Sequence, residues 1–375
     1  MSEDGTLTRG ALLKRAAVAG VALGAPSLLS PTGALGSVRR VQRVSRSAAS
    51  SITWLTYALY SDPRLTKAFT QQTGISIKPD NYGELPEMET KLRSGAGDDI
   101  VSIASNLVTP LAQEGLLHPI DPTQLKNWKH LYGQFADANF IRYKGKIYGV
   151  PTVWGPEGLI YRTDKLKNVN SWDVLWDPKN KGQLSVIDYD YEMALVAALY
   201  LGMKKQLEGN PIEFSTSDLA KIKSALMTQI KLDSKVWSDT AVAEALLASG
   251  ESVATIGRIA FLKDLKAKNV PVKLINPKEG TQGWVTSTCI VAKTQNLAGA
   301  YKFLDYAISP SYGVALAQTY GYPATSSQVM GKIPAAQRKE LFLNDPKILE
   351  KMYFWKPAPQ QAQITQMWNE VKASA

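Results

Sequence analysis

The 375-residue sequence carries a net charge of +10, with 45% apolar and 20% charged residues and one cysteine. That composition excludes general disorder, and the single cysteine excludes an internal disulfide. The first 50 residues hold seven Lys/Arg (Arg9, Lys14, Arg15, Arg39, Arg40, Arg43, Arg46) against Glu3 and Asp4, so half of the surplus sits there. The remainder shows no basic helix and no run of interleaved arginines and aromatics, the pattern a nucleic-acid partner would require.

In chain order, Thr8 to Lys14 precedes an apolar stretch, Ala16 to Leu29, with small residues after it. This reads as an export signal, too short and too interrupted by Pro26 and Ser27 to span a membrane. It resembles a twin-arginine signal with Gly10 at the second arginine's place, and no cysteine stands near its end to carry a lipid anchor. Arg39 to Ser50 reads as a disordered basic linker, so residues 1–50 are set apart from the fold.

Ile52 to Tyr57 has the β-branched and aromatic content of a strand. Asp62 then caps a helix that has Pro63 in its first turn and ends at Gly74. A strand at Ile75–Ile77, a helix holding Leu85, Met88 and Leu92, a strand at Ile100–Ile103 and a helix at Val108–Glu114 continue the alternation. This is the signature of an α/β fold with parallel strands. Lys144 to Val150 predicts a hairpin leading into Pro151–Glu192. There Ser171 caps a short helix, Trp172–Trp176, and a strand, Gln183–Ile187, opens into Asp188, Tyr189, Asp190, Tyr191 and Glu192 at the start of a helix, Met193–Leu201. Farther on come a helix at Asp218–Met227, an amphipathic helix marked by Val242, Ala245 and Leu246, and a strand at Val253–Ile256 that ends at Gly257-Arg258. Helices at Leu297–Ala307 and Tyr312–Thr319 follow, and a last one at Gln360–Lys372 has Ile364, Met367, Trp368 and Val371 on one face.

Several spaced elements recur together: Trp54-x-Thr56-Tyr57, Phe69 to Gly74, Lys91-Leu92-x-x-Gly95, Glu114 to Leu117, Pro151-x-x-Trp154-Gly155, Ser171-Trp172-x-x-Leu175-Trp176-Asp177-Pro178, and Tyr320 to Ser326. In this order they resemble the spermidine/putrescine-type solute-binding proteins of ABC transporters across nearly the whole chain after residue 50. The resemblance implies a two-lobed periplasmic-binding-protein type II fold, with a ligand cleft between lobes joined by a two-crossing hinge. Crossings at Pro151–Glu157 and Trp284–Thr288 would divide the chain into residues 51–153 plus 287–325 and residues 154–286 plus 326–375. It also implies a periplasmic, monomeric, non-enzymatic protein that binds a small solute without cofactor or metal and delivers it to a membrane permease.

Open α/β sheets keep ligands beyond the carboxyl ends of their strands, and a small-ligand pocket needs aromatic walls with a few polar anchors. Trp54, Tyr57, Trp154, Tyr189, Trp284 and Tyr322 meet that description, with Ser105 and Asn106 at the end of a strand. Glu192 matches one family position that holds an ammonium group, whereas Thr56, Tyr189 and Thr286 stand at three other acidic positions and Gly257-Arg258 at a tryptophan position. Amines left without carboxylates in a closed cleft would be costly. The expectation is therefore a zwitterionic or anionic amine-containing ligand, its acid on Arg258 and its amine on Glu192. Alternatives are a true polyamine, a ferric ion on Tyr189, Asp190, Tyr191 and Glu192, a secreted hydrolase using the carboxylates of Asp188 to Glu192, and a sensor subunit presenting ligand to a receptor. Two histidines, His118 and His130, leave few players for nucleophilic catalysis.

Overall fold

The computed structural model describes residues 51–374, apart from residues 84, 96, 341–348, 350 and 351. The expected export signal and linker, residues 1–50, lie outside the described residues. Strands Ser51–Thr56, Ser76–Asn81 and Ile100–Ala104 pair in parallel, with Ser51 opposite Ser76 and Trp54 opposite Ile100. Helix Pro63–Thr73 makes the first crossover. The Asp62 carboxylate accepts from the Arg64 amide at 2.7 Å, and Gly74 closes the helix in the left-handed conformation that glycine adopts without strain.

Two long strands dominate the sheet. Val150–Arg162 and Thr281–Val291 run antiparallel, paired from Val150–Thr288 to Glu157–Gln282 with a bulge at Thr286/Ser287. Both are buried almost end to end, so neither shows the strict apolar and polar alternation of a strand with one face in water. Thr281–Val291 also pairs with Ile100–Ala104, while the outer half of Val150–Arg162 pairs with Ala254–Gly257 and Val272–Ile275. One sheet therefore runs in the order Ala254–Gly257, Val150–Arg162, Thr281–Val291, Ile100–Ala104, Ser51–Thr56, Ser76–Asn81.

Some elements differ from expectation. The hairpin forms between Arg142–Tyr143 and Lys146–Ile147, turning at Lys144-Gly145 with both φ positive, so Val150 begins the next strand instead. Helix Thr240–Ser249 buries Ala243, Glu244 and Leu247, while Val242 and Ala245 are exposed. Its true face is shifted by about one residue, because alanine and leucine on every side leave little periodic contrast. Strand Gln183–Ile187 shortens to Ser185–Ile187, paired with Lys235–Trp237 in a separate two-stranded sheet. Four short strands, Leu117–His118, Lys235–Trp237, Val272–Ile275 and Met352–Phe354, were not foreseen. Each joins a partner far away in sequence or is too short to leave a pattern of its own.

Candidate ligand-binding site

Three elements bring charge to one place. Val150–Arg162 carries Glu157, the first turn of helix Asp190–Tyr200 carries Glu192, and Arg258 stands at the turn between strand Ala254–Gly257 and helix Ile259–Ala267. The Arg258 Nε donates to Glu157 Oε1, and a terminal nitrogen reaches Glu192 Oε2 at 3.5 Å, the outer limit of a hydrogen bond. Glu157 and Glu192 are 1% and 0% exposed and the Arg258 side chain 27%, so the guanidinium retains an open face. Glu192 Oε1 has no hydrogen-bond partner. Burial pushes the Glu157 carboxyl up against the opposing pull of Arg258, and burial together with the neighbouring Glu157 pushes Glu192 well up.

Around this row lies a neutral web. Thr56 Oγ1 and Trp54 Nε1 donate to Ser102 Oγ at 2.9 and 3.0 Å, Tyr82 donates to the Ser102 carbonyl at 2.7 Å, and Tyr60 shares a 3.1 Å bond with Thr286. Tyr57 packs on Tyr82 and Tyr60 with centroids 4.4 and 5.9 Å apart. The Trp284 ring meets Tyr322 edge-on at 5.3 Å and lies so close to Gly155 that a Cβ there would come within 2.6 Å of it. Tyr322 senses the charges of both Arg258 and Glu157. Tyr189 packs edge-on against Trp355 at 5.5 Å, within hydrogen-bonding reach of Asn106. The Asn106 Oδ1 and Trp284 Nε1, like Glu192 Oε1, are buried without a partner. Such groups are rare in folded proteins, and three of them gather beside this row of charges.

The anticipated residues divide in two. Tyr57, Asn106, Tyr189, Glu192, Arg258, Trp284, Thr286 and Tyr322 gather around the row, joined partly by these contacts and partly by the reach of its charges to Tyr60, Tyr189 and Tyr322. Trp54 and Trp154, each 1% exposed, are core residues: Trp54 packs on Phe303 at 4.6 Å, and Trp154 Nε1 donates to the Ala324 carbonyl. Thr56 is fully buried behind Ser102, and Ser105 is held by the Trp355 carbonyl at 2.7 Å. The acidic run is split as well. Asp188 accepts from Trp368 and Lys372 at 2.8 and 2.7 Å, while Asp190 accepts from Gln361 and Thr365, so both fasten the last helix rather than face Arg258. Helix onset at Asp190 ends the extended segment, leaving the Tyr189 and Tyr191 rings 6.3 Å apart. Among the described residues no group of three or more His, Cys, Asp or Glu is arranged to hold a metal.

Sequence reasoning passed over Glu157, Tyr60, Ser102 and Trp355. Glu157 left a readable signal, a lone acid inside an apolar strand, which implies a buried partner. Trp355 follows a strand that was itself unforeseen.

Residues 64–343 match the model of a family described as bacterial extracellular solute-binding protein. The putrescine-binding periplasmic protein SpuD of Pseudomonas aeruginosa is 26% identical over 335 residues, which are 84% of this chain and 89% of SpuD. The spermidine/putrescine ABC transporter substrate-binding protein PotD from Streptococcus pneumoniae, solved with calcium and HEPES, superposes with a TM-score of 0.75 at 17% identity, covering 87% of this chain and 99% of that one. The structure of a GABA receptor superposes with a TM-score of 0.69 at 17% identity, covering 87% of this chain and 98% of that one. Since the family match takes in well over half of its length, the chain belongs to the bacterial extracellular solute-binding proteins, a non-enzymatic family, and has the two-lobed fold of type II periplasmic binding proteins.

Proposed function

We propose that the protein captures a small zwitterionic solute carrying an amine and an acid and delivers it to the permease of an ABC importer. The observation that carries this reading is the Glu157–Arg258–Glu192 row. Glu157 takes the Nε of Arg258 and Glu192 reaches one terminal nitrogen only at 3.5 Å, which leaves the other terminal nitrogen for a ligand acid, and the unpartnered Glu192 Oε1 suits an ammonium group. Trp284 Nε1 adds a free donor and Asn106 Oδ1 a free acceptor. The names of the similar proteins support delivery by way of an ABC permease and a periplasmic location, a single cleft needs no partner subunit and so supports a monomer, and no helix among the described residues is long and apolar enough to cross a membrane. The attachment of Asp188 and Asp190 to the last helix disfavours a hydrolase built on the acidic run.

The names of SpuD and PotD favour a second reading, a polyamine. Titration calorimetry separates the two. Charged hydrogen bonds contribute about 1.5–3 kcal/mol, so Arg258→Ala should weaken an amino acid such as γ-aminobutyrate roughly ten- to a hundredfold. Tight putrescine or spermidine binding that is indifferent to Arg258→Ala would establish the polyamine instead. Closure would bend the two long strands near Pro151–Glu157 and Trp284–Thr288, with residues 51–153 and 287–325 moving against 154–286 and 326–375. Small-angle scattering should then give a smaller radius with ligand, and an unchanged profile at saturation would count against closure.

A further inference from the structure

The row of charges does not balance. Two carboxylates face one guanidinium, and the other titratable groups facing them are the phenols of Tyr322 and Tyr189, with Tyr60 beside Arg258. Asp190, two residues before Glu192 and so on another face of the helix, is turned to Gln361 and Thr365. Glu157 holds the guanidinium through Nε, while Glu192 receives one contact at 3.5 Å and leaves Oε1 unserved at zero exposure. Gln282 does not serve that oxygen either, since its amide donates to the Glu192 main-chain carbonyl at 3.3 Å. A second ionised carboxylate here would have neither water nor a counter-ion of its own, and like charges in such a place do not both ionise.

We infer that Glu192 carries a proton in the ligand-free protein, hydrogen-bonded within the Glu157–Glu192 pair, and that the ammonium of an incoming solute takes that proton's place. The displacement half rests on the amine reading above; the resident proton does not. Glu192 is the member that keeps the proton because Glu157 has the guanidinium directly against it. Burial raising both carboxyls, Glu192 further, agrees. On binding, the Glu192 carboxyl gives its proton to water and its carboxylate receives the ammonium, whose positive charge replaces the one the proton carried. Affinity for an amine then rises with pH, by up to about tenfold per unit, until the carboxyl is ionised without ligand.

The test uses the full-length protein with γ-aminobutyrate and putrescine as probes. Infrared spectra at pH 7 should show the carbonyl band of a protonated carboxylic acid, absent in Glu192→Gln and lost on saturation with an amine that binds. A carboxyl whose proton is held by the fold loses its stabilising effect as pH rises through its folded value. Glu192→Gln, which copies the protonated form, should therefore melt above wild type at pH 8 and converge with it towards pH 5. Calorimetry in buffers of different ionisation enthalpy should read up to one proton released per amine bound. A wild-type spectrum without the band, or a Glu192→Gln variant that melts below wild type at pH 8, overturns the inference. Should that variant fail to fold, the wild-type band and its loss with amine decide alone. The band without binding of either probe upholds the resident proton and overturns displacement together with the amine reading.

Discussion

In the neutral web beside and behind the site, Thr56, Ser102, Tyr60, Thr286 and Tyr82 are paired through hydroxyl bonds of 2.7 to 3.1 Å. In the row of charges, Glu157, Arg258 and Glu192 are withdrawn from water with one oxygen left over. The first part asks nothing of a ligand beyond shape. The second has a demand that the protein itself does not meet, and there a solute's polar groups gain most, because a buried group without a partner bears its full desolvation cost.

The contrast can be broken from either side. The largest effect is expected from Glu157→Ala, which removes the closest counter-ion of Arg258. Breaking a buried pair in this way should lower stability by about 3 kcal/mol in urea unfolding, and a loss below about 1 kcal/mol would place the ionic part on a par with the neutral one. Gly155→Ala drives a methyl group into the Trp284 ring. It should cost about 1–3 kcal/mol and shift the Trp284 indole resonance in NMR spectra, whereas an unmoved resonance would mean that the ring is not held as described. Thr56→Val deletes one neutral bond to Ser102, for a loss of about 1 kcal/mol that should be equal at pH 5 and pH 8. The smallest effect concerns a carboxylate outside the site. Burial, helped by the neighbouring Asp80, pushes the Asp98 carboxyl up to about 6, and its Oδ1 lacks a partner. Its raised value makes the protonated form the stabilising one, lost as pH rises through 6. Asp98→Asn should flatten that slope, by less than about 1 kcal/mol once solvent screening is counted, and an unchanged slope would assign it to other groups.

Local signals carried far in this sequence. The last helix buries Ile364, Met367, Trp368 and Val371, the face its spacing announces, and Leu297–Ala307 has the bounds its sequence sets. Asp62 and Gly74 cap the first helix as their chemistry requires. What lay beyond reach was non-local. Residue type does not say whether a tryptophan lines a site or a core: Trp54 is core because Phe303, almost 250 positions away, covers it, and Trp284 joins the site because Gly155 leaves it room. Asp188, Asp190 and Glu192 look alike in sequence, and they part company only when the last helix packs on the first two.

The two long strands also set an order of events in the life of the chain. Ile100 pairs with Ile290 and Val150 with Thr288, so the middle of the sheet closes across 190 and 138 positions of sequence. Until the ribosome has released Thr281–Val291, Ile100–Ala104 and Val150–Arg162 have no strand to join between them. A nascent chain up to that length exposes two open edges, the kind of surface that other chains add to. Closing the sheet must then wait until Thr281–Val291 has been made, and it is slow for the same reason, since distant pairings reward the chain only after long loops have closed.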